Sequence, residues 1–242
     1  MKYAASNSNS TALSQAGQSP WVNITQNAAK TACANLGAGY HLTTNVEWMT
    51  IAANAAKQTF NWSGGAVGSG TLVQGHSNNS PASVCASDVS DSKAWVGGSD
   101  CTGQTQGTMA FNQRRTAKLS NSEVIWDFAG NAWQWVDVIN TNDKPTPASD
   151  TWQQFPTLSG TTTMPLAQLV PINAVQNWWT DSWNSAQSIG RFYSGYNGSG
   201  GALQRGGAVD SGTANAGLFS GRLSNAADYA DGFGTFRCTW AP

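Results

Sequence analysis

Residues 123–138 read EVIWDFAGNAWQWVDV. Bulky side chains fall at Val124, Trp126 and Phe128, then at Trp133 and Trp135, on either side of Gly130-Asn131. Period-two alternation lines one face of a strand, and a Gly-Asn pair accepts the positive φ of a tight turn. The stretch predicts strand, turn, strand, with large aromatic rings as the anchors of a core.

Upstream, the pattern changes period. From Ile24 the apolar positions Ala28, Ala32 and Leu36 recur at helical spacing, and Gly37 supplies a left-handed stop. Next comes TTNVEWMTIAANAAK, in which Thr44 with Glu47 three residues on forms a capping box. Trp48, Ile51, Ala52 and Ala55 then make one apolar face. No other segment carries a strong helical pattern, so the remainder is expected as strand and loop, an α+β class.

The rest of the chain is loop-like in composition. Residues 64–122 are rich in Gly, Ser, Asn and Asp, with isolated apolar points at Trp95 and Phe111, and predict a long ordered excursion. Residues 140–176 hold Pro145, Pro147, Pro156, Pro165 and Pro171 and predict a second one. Residues 1–20 are small and polar and are expected as an extended segment, leaving 21–242 as a single domain. No internal repeat or linker divides it.

Composition excludes several function classes. Only 10% of residues are charged, twelve are tryptophan, and the net charge is −1. Disordered segments and coiled coils lean on charge and lack aromatics, so neither fits. A phosphate-tracking surface needs clustered cations, and Arg114-Arg115 is the only adjacent basic pair, so nucleic acid is not an expected partner. No apolar run is long enough to span a membrane, and MKYAASNSNS shows no signal-peptide core. The two histidines, His41 and His76, have no cysteine at ligand spacing, which disfavours zinc. Four cysteines, none in a CxxC, favour disulfides and admit three full pairings.

Three stretches, in order, resemble one family. NAAKTACANLGAGYHLTTNVEWMTIAA, WDFAGNAWQWV and RGGAVDSG…GFGTFRC are similar to the helical-Cys, GNxWEW and RGGS…GFRC motifs of formylglycine-generating (sulfatase-modifying) domains. The resemblance implies a C-type-lectin-like fold of two helices, small antiparallel sheets and long irregular loops. It also implies a structural bridge between Cys33 and Cys238, which leaves Cys85–Cys101 as the second pair. The family's reactive cysteines follow the RGGS motif. Here that stretch reads GGAVDSGTANAGLF, and neither Ser211 nor Ala216 can replace a thiolate as nucleophile or soft-metal ligand. No catalytic residue is therefore expected.

The fold without its thiols resembles the variable proteins of diversity-generating retroelements, which display a hypervariable ligand-binding surface on this scaffold. The resemblance implies fixed positions at Gly200, Gly201, Gly206, Gly207, Gly217, Leu218, Phe219, Leu223, Phe236 and Cys238. It implies a variable region over about 191–237. Its exposed contacts would be Phe192, Tyr193, Ala208, Val209, Asp210, Gly221, Arg222, Ser224, Asn225, Tyr229 and Asp231. Mixed Tyr, Asp, Arg, Asn and small residues on a rigid frame are the chemistry of an adaptable paratope. The expected partner is a protein or carbohydrate ligand such as a cell-surface receptor, met outside the cell, at a cell surface or on a virion. A formylglycine-generating-type oxidase and a fixed-specificity lectin or adhesin are the alternatives.

No cofactor is required by this reading. Calcium is the one ion the resemblance allows, at Asn131, but Gln134 stands where the enzymes have Glu, which weakens a hard-cation site. Asn131 reads instead as the left-handed residue of a turn. Asp127 and Asp137 flank the motif without a fixed separation and read as structural rather than as a glycosidase pair. Asp88 and Asp91 resemble an EF-hand in composition only. Trp133, Trp135, Trp178, Trp179 and Trp183 read as core rather than as a sugar platform.

Overall fold

The helix capped at Thr44 forms as its sequence dictates. In the computed structural model, which describes residues 1–140 (backbone alone at 139–140), 151–160, 165–171, 177–195 and 201–242, helix α2 spans Asn45–Ala56. Thr44 Oγ1 accepts from Glu47 N–H, and the Glu47 carboxylate accepts from Thr44 N–H, so both orphan donors are satisfied. Trp48, Met49, Ala52, Ala55 and Ala56 bury toward the main core, with Ile51 half-buried beside them. Helix α1, Gln26–Ala34, starts at Thr25, whose hydroxyl accepts from Ala28 N–H. Its buried face is Gln26, Ala29, Ala32 and Cys33; of the expected Ala28–Ala32–Leu36 row, Ala28 is exposed, and Leu36 lies past the helix end, half-buried against the second core. A third short helix, α3, spans Leu166–Leu169.

The expected hairpin across Gly130-Asn131 does not form. Strand Val124–Trp126 pairs antiparallel with Thr116–Lys118, while Trp133–Asn140 enters a different, six-stranded sheet. The backbone between them passes through positive φ at Asp127, Gly130 and Asn131, so the chain turns away instead of back on itself. The Asn131 part of the reading stands: its φ is 65°.

The sheet orders its strands as Gly234–Phe236, Trp133–Asn140, Gly201–Arg205, Gly221–Ala226, Phe192–Tyr193 and Trp152–Gln153. Two of its five pairings are parallel, Gly234–Phe236 with Trp133–Asn140 and Phe192–Tyr193 with Gly221–Ala226; the rest are antiparallel. Alternation splits its side chains. Val136, Leu203, Leu223 and Phe192 join α2 in the main core, and Trp135, Ala202 and Phe236 join α1 in a second. The fold is therefore α+β with small sheets, as expected.

The ends of the described chain meet. Cys238–Trp240 pairs with Tyr40–Leu42, and Ala5 N–H donates to the Phe236 carbonyl. Residues 1–20, expected as an extended segment, contain a hairpin of Ser6–Ser8 with Thr11–Leu13, and Ala5 and Ala12 are buried. The two disulfides are Cys33–Cys238 and Cys85–Cys101, as the resemblance implied. The proline-rich stretch carries short elements of its own, Trp152–Gln153 and α3; Pro145 and Pro147 lie outside the described residues, as does Gly200.

Candidate functional site

Register places the aromatic and polar residues of the sheet's second face together. Tyr193 lies opposite both Arg222 and Trp152, Arg222 opposite Gln204, Gln204 opposite Trp135, and Asn225 opposite Ala202. Directly opposed residues share a face. Away from α1, this face carries a row of rings. Trp133 stacks on Trp152 with centroids 5.9 Å apart, Trp152 tilts against Tyr193 at 5.4 Å, and the Arg222 guanidinium lies 4.5 Å from the Trp133 centroid.

A polar network joins that row. Gln204 Oε1 accepts from Arg222 Nε at 2.7 Å and from Asn225 Nδ2 at 3.1 Å. Asp231 stands 3.7 Å from Arg222 Nη2 and accepts from Phe233 N–H. Burial pushes the Arg222 guanidinium down to about 10, against the opposing pull of Asp231, Asp210 and Tyr229. The Asp231 carboxylate in turn holds the exposed Tyr229 phenol above its ordinary range.

Of the expected contact residues, Tyr193, Asp210, Arg222, Ser224, Asn225, Tyr229 and Asp231 are half-buried or exposed. The other four are corrected. Phe192, Ala208 and Val209 are fully buried, and Gly221 is buried as well. Phe192 faces the main core by strand alternation. Val209 N–H donates to the Asn131 carbonyl and the Val209 carbonyl accepts from Asn79 N–H, which locks the 208–209 backbone inside the molecule. A Cβ at Gly221 would lie 2.6 Å from Phe192 Cε2 and 2.9 Å from Arg205 Nη1, so no side chain fits there. Gln204 and Trp152 are the face residues that sequence reading missed, while Trp133, read as core, is indeed buried at the base of this face. Period-two alternation through Gly201–Arg205, with Leu203 inward, was the signal for Gln204.

The surroundings of Asn131 do not fit calcium. Its Oδ1 accepts from Cys85 N–H at 2.8 Å and its Nδ2 donates to the Cys85 carbonyl at 2.9 Å. The nearby carboxylate, Asp127, is buried and forms a two-pronged pair with Arg115, both bonds 2.7 Å. Gln134 donates to the Asp127 carbonyl at 2.6 Å while its Oε1 accepts from Arg237 Nε at 2.6 Å. A Glu could not make the first of these bonds. Amide and guanidinium groups thus fill the roles a cation would take. Asp137 is exposed and pairs with Lys30, so Asp127 and Asp137 do not act together.

His76 lies under the same turn, fully buried; among the described residues neither ring nitrogen has a hydrogen-bond partner, and Asn131 N–H donates to its carbonyl. Burial lowers its affinity for a proton, and the Arg115 charge lowers it further than the Asp127 carboxylate restores. The neutral imidazole is the native form. Its contribution to stability is complete above the ordinary histidine range and is lost as pH falls below about 6.5 toward the lowered native value. Thermal melts from pH 7.5 to 5 should show a falling midpoint, and His76→Leu should flatten that limb. An unchanged limb in the variant would remove His76 as its origin.

No thiol is available for chemistry. All four cysteines are paired, and among the described residues no three His, Cys, Asp or Glu side chains are grouped to hold a metal. After Arg205, the Ser211 hydroxyl accepts from Ala208 N–H, and Ala216 is fully buried. A thiolate-held soft-metal site does not fit this donor set.

The sequence model described as Sulfatase-modifying factor enzyme 1-like domain matches residues 2–170. The chain belongs to this family. The matched span contains α1, α2, the Asn131 turn and the strand Trp133–Asn140 of this sulfatase-modifying-factor-like chain. Arg222 and the rest of the polar network lie C-terminal to it. No curated protein matches the chain.

Proposed function

We propose that this family member is a non-catalytic ligand-binding protein, the variable protein of a diversity-generating retroelement. It would display exchangeable side chains at Tyr193, Asp210, Arg222, Ser224, Asn225, Tyr229 and Asp231. One observation carries the reading. These side chains reach the surface from a frame in which Leu203, Leu223, Phe219 and Phe236 are fully buried and every cysteine is tied into a disulfide. A frame ordered in advance loses little further entropy when it binds. Exchange of the displayed groups then alters recognition without touching the core.

The partner is a protein or carbohydrate ligand, such as a receptor on a cell surface. The two disulfides fit work outside the cytoplasm, at a cell or virion surface. No helix among the described residues is long and apolar enough to cross a membrane. The same paired cysteines weigh against the alternative of a formylglycine-generating-type oxidase.

Two measurements test the proposal. Simultaneous exchange of residues 193, 210, 222, 224, 225, 229 and 231 for other polar or aromatic residues should leave the melting temperature within about 5 °C of the parent, the range of surface substitutions. Broad destabilisation would contradict it. Incubation with a cysteine-containing sulfatase peptide and copper should yield no formylglycine, and turnover would establish the oxidase reading instead.

A further inference from the structure

We propose that Gln204 is a positioning residue beneath the displayed surface, an amide adaptor that lets positions 222 and 225 carry either hydrogen-bond donors or acceptors. It rests on the reading of the outer face as a variable one. Gln204 is fully buried on the strand Gly201–Arg205, opposite Arg222 on one side and Trp135 on the other. Two donors from different positions, Arg222 Nε and Asn225 Nδ2, converge on its single Oε1. That convergence fixes which way the amide faces, because its nitrogen could serve neither.

The other end of the amide is idle. Gln204 Nε2 is buried with no acceptor among the described residues, and it lies 3.3 Å from the position a Cβ would take on Gly234. A buried donor left unmade is ordinarily selected against, since its desolvation is not offset. Here the spare donor has a use. If a new residue at 222 or 225 presents a carboxylate, half a turn of the amide about its last torsion replaces Oε1 with Nε2, and the new acceptor finds a partner. Asparagine would be too short from the same backbone position to reach both neighbours. A glutamate could accept but not donate, and a methionine of similar size could do neither.

Gly234 leaves the space for this exchange: a Cβ there would lie 3.3 Å from Gln204 Nε2 and 3.2 Å from Asp231 Oδ1. A scaffold whose surface must accept arbitrary polar residues meets one recurrent hazard, a polar group trapped against the sheet with nothing to bond. A single amphoteric side chain placed under two of those positions removes that hazard without itself being exchanged.

The test is a saturation library at positions 222 and 225, built on the full chain with Gln204 intact, with Q204E and with Q204M, and sorted for folded molecules by protease resistance. With Gln204 intact, Asp and Glu should survive within about threefold of Lys and Arg, less than one hydrogen bond's worth. With Q204E, the acidic residues should fall behind the basic ones by on the order of tenfold, the equivalent of about one unmade hydrogen bond. With Q204M, both charged classes should fall behind small and apolar residues. The same preference in all three backgrounds would overturn the proposal. So would a tenfold deficit of acidic residues with Gln204 intact, which decides the matter even if neither variant folds. No ligand enters this measurement, so a failure to bind anything and a failure of the adaptor would be told apart.

Discussion

Replacing both ends of the longer disulfide, as C33A/C238A, is expected to cost about 5 kcal/mol of folding stability in the chain-entropy account. The two cysteines are separated by 205 residues, so the bridge closes nearly the whole chain in the unfolded state. Free unfolded chains have more conformations to lose on folding, and the penalty grows with the logarithm of the loop. Locally, Cys238 begins the strand that pairs with Tyr40–Leu42, and Cys33 sits in the last turn of α1. Without the bond, the C-terminal strand is held by that short ladder, by the Met1 ammonium on the Cys238 carbonyl and by Thr43 on Thr239. Ordinary domains hold only 5–15 kcal/mol in total, so the double variant should unfold at far lower denaturant. Chemical denaturation of parent and variant measures the difference directly, and hydrogen exchange should show residues 238–240 opening first. A loss below about 1 kcal/mol would mean that the bridge closes a loop already constrained in the unfolded chain.

Asp127→Ala is expected to cost roughly 3–5 kcal/mol, because it strands the Arg115 guanidinium in the interior. The Arg115 side chain is only 1% exposed and is held by two bonds to Asp127 and by the carbonyls of Cys85 and Ala86. The carbonyls remain after the substitution, but the counter-charge does not. Asp137→Ala supplies the contrast. Asp137 also forms an ion pair, with Lys30, but both side chains are more than 30% exposed, and such pairs contribute about 1 kcal/mol or less. The two aspartates flank the same motif, but Asp127 is buried on a two-pronged Arg115 pair while Asp137 is exposed on Lys30. Equal losses for the two variants would show that the Arg115–Asp127 pair is not doing structural work in the interior.

That contrast shows what the sequence disclosed and what it withheld. The capping box at Thr44 and Glu47 was readable because all its partners lie within three residues of each other. The burial of Gly206, Gly217, Leu218 and Phe219 agrees with the fixed positions that the resemblance implied. The hairpin expected at 124–138 was not formed, because the partner of Val124–Trp126 lies upstream at Thr116–Lys118, in a stretch too polar to announce a strand. Two-residue strands such as Phe192–Tyr193 and Trp152–Gln153 carry no period at all. Ala208 and Val209 looked like surface because they sit between glycines and an aspartate. What buries them is a pair of backbone bonds to Asn131 and Asn79, far away in sequence. For Gln204 the alternation with Leu203 gave the face, but its partners emerge only when register sets Arg222 and Asn225 around it.

The same accounting sharpens the functional proposal. A surface that varies must avoid positions whose backbone or packing cannot tolerate a new side chain. The four buried positions fail that condition on burial or on the space around Gly221, and the seven half-buried or exposed positions meet it. Variation is thereby predicted residue by residue.

The measurement that tests this account most directly is the sequence of the DNA flanking the gene. The account predicts a near-copy of the segment encoding about residues 191–237, beside a reverse-transcriptase gene, differing where the copy holds adenine. Mismatched codons should fall at Tyr193, Asp210, Arg222, Ser224, Asn225, Tyr229 and Asp231, and should spare Phe192, Gln204, Ala208, Val209 and Gly221. Absence of the copy, or mismatches concentrated on the buried set, would contradict it and leave a fixed-specificity lectin or adhesin on the same fold.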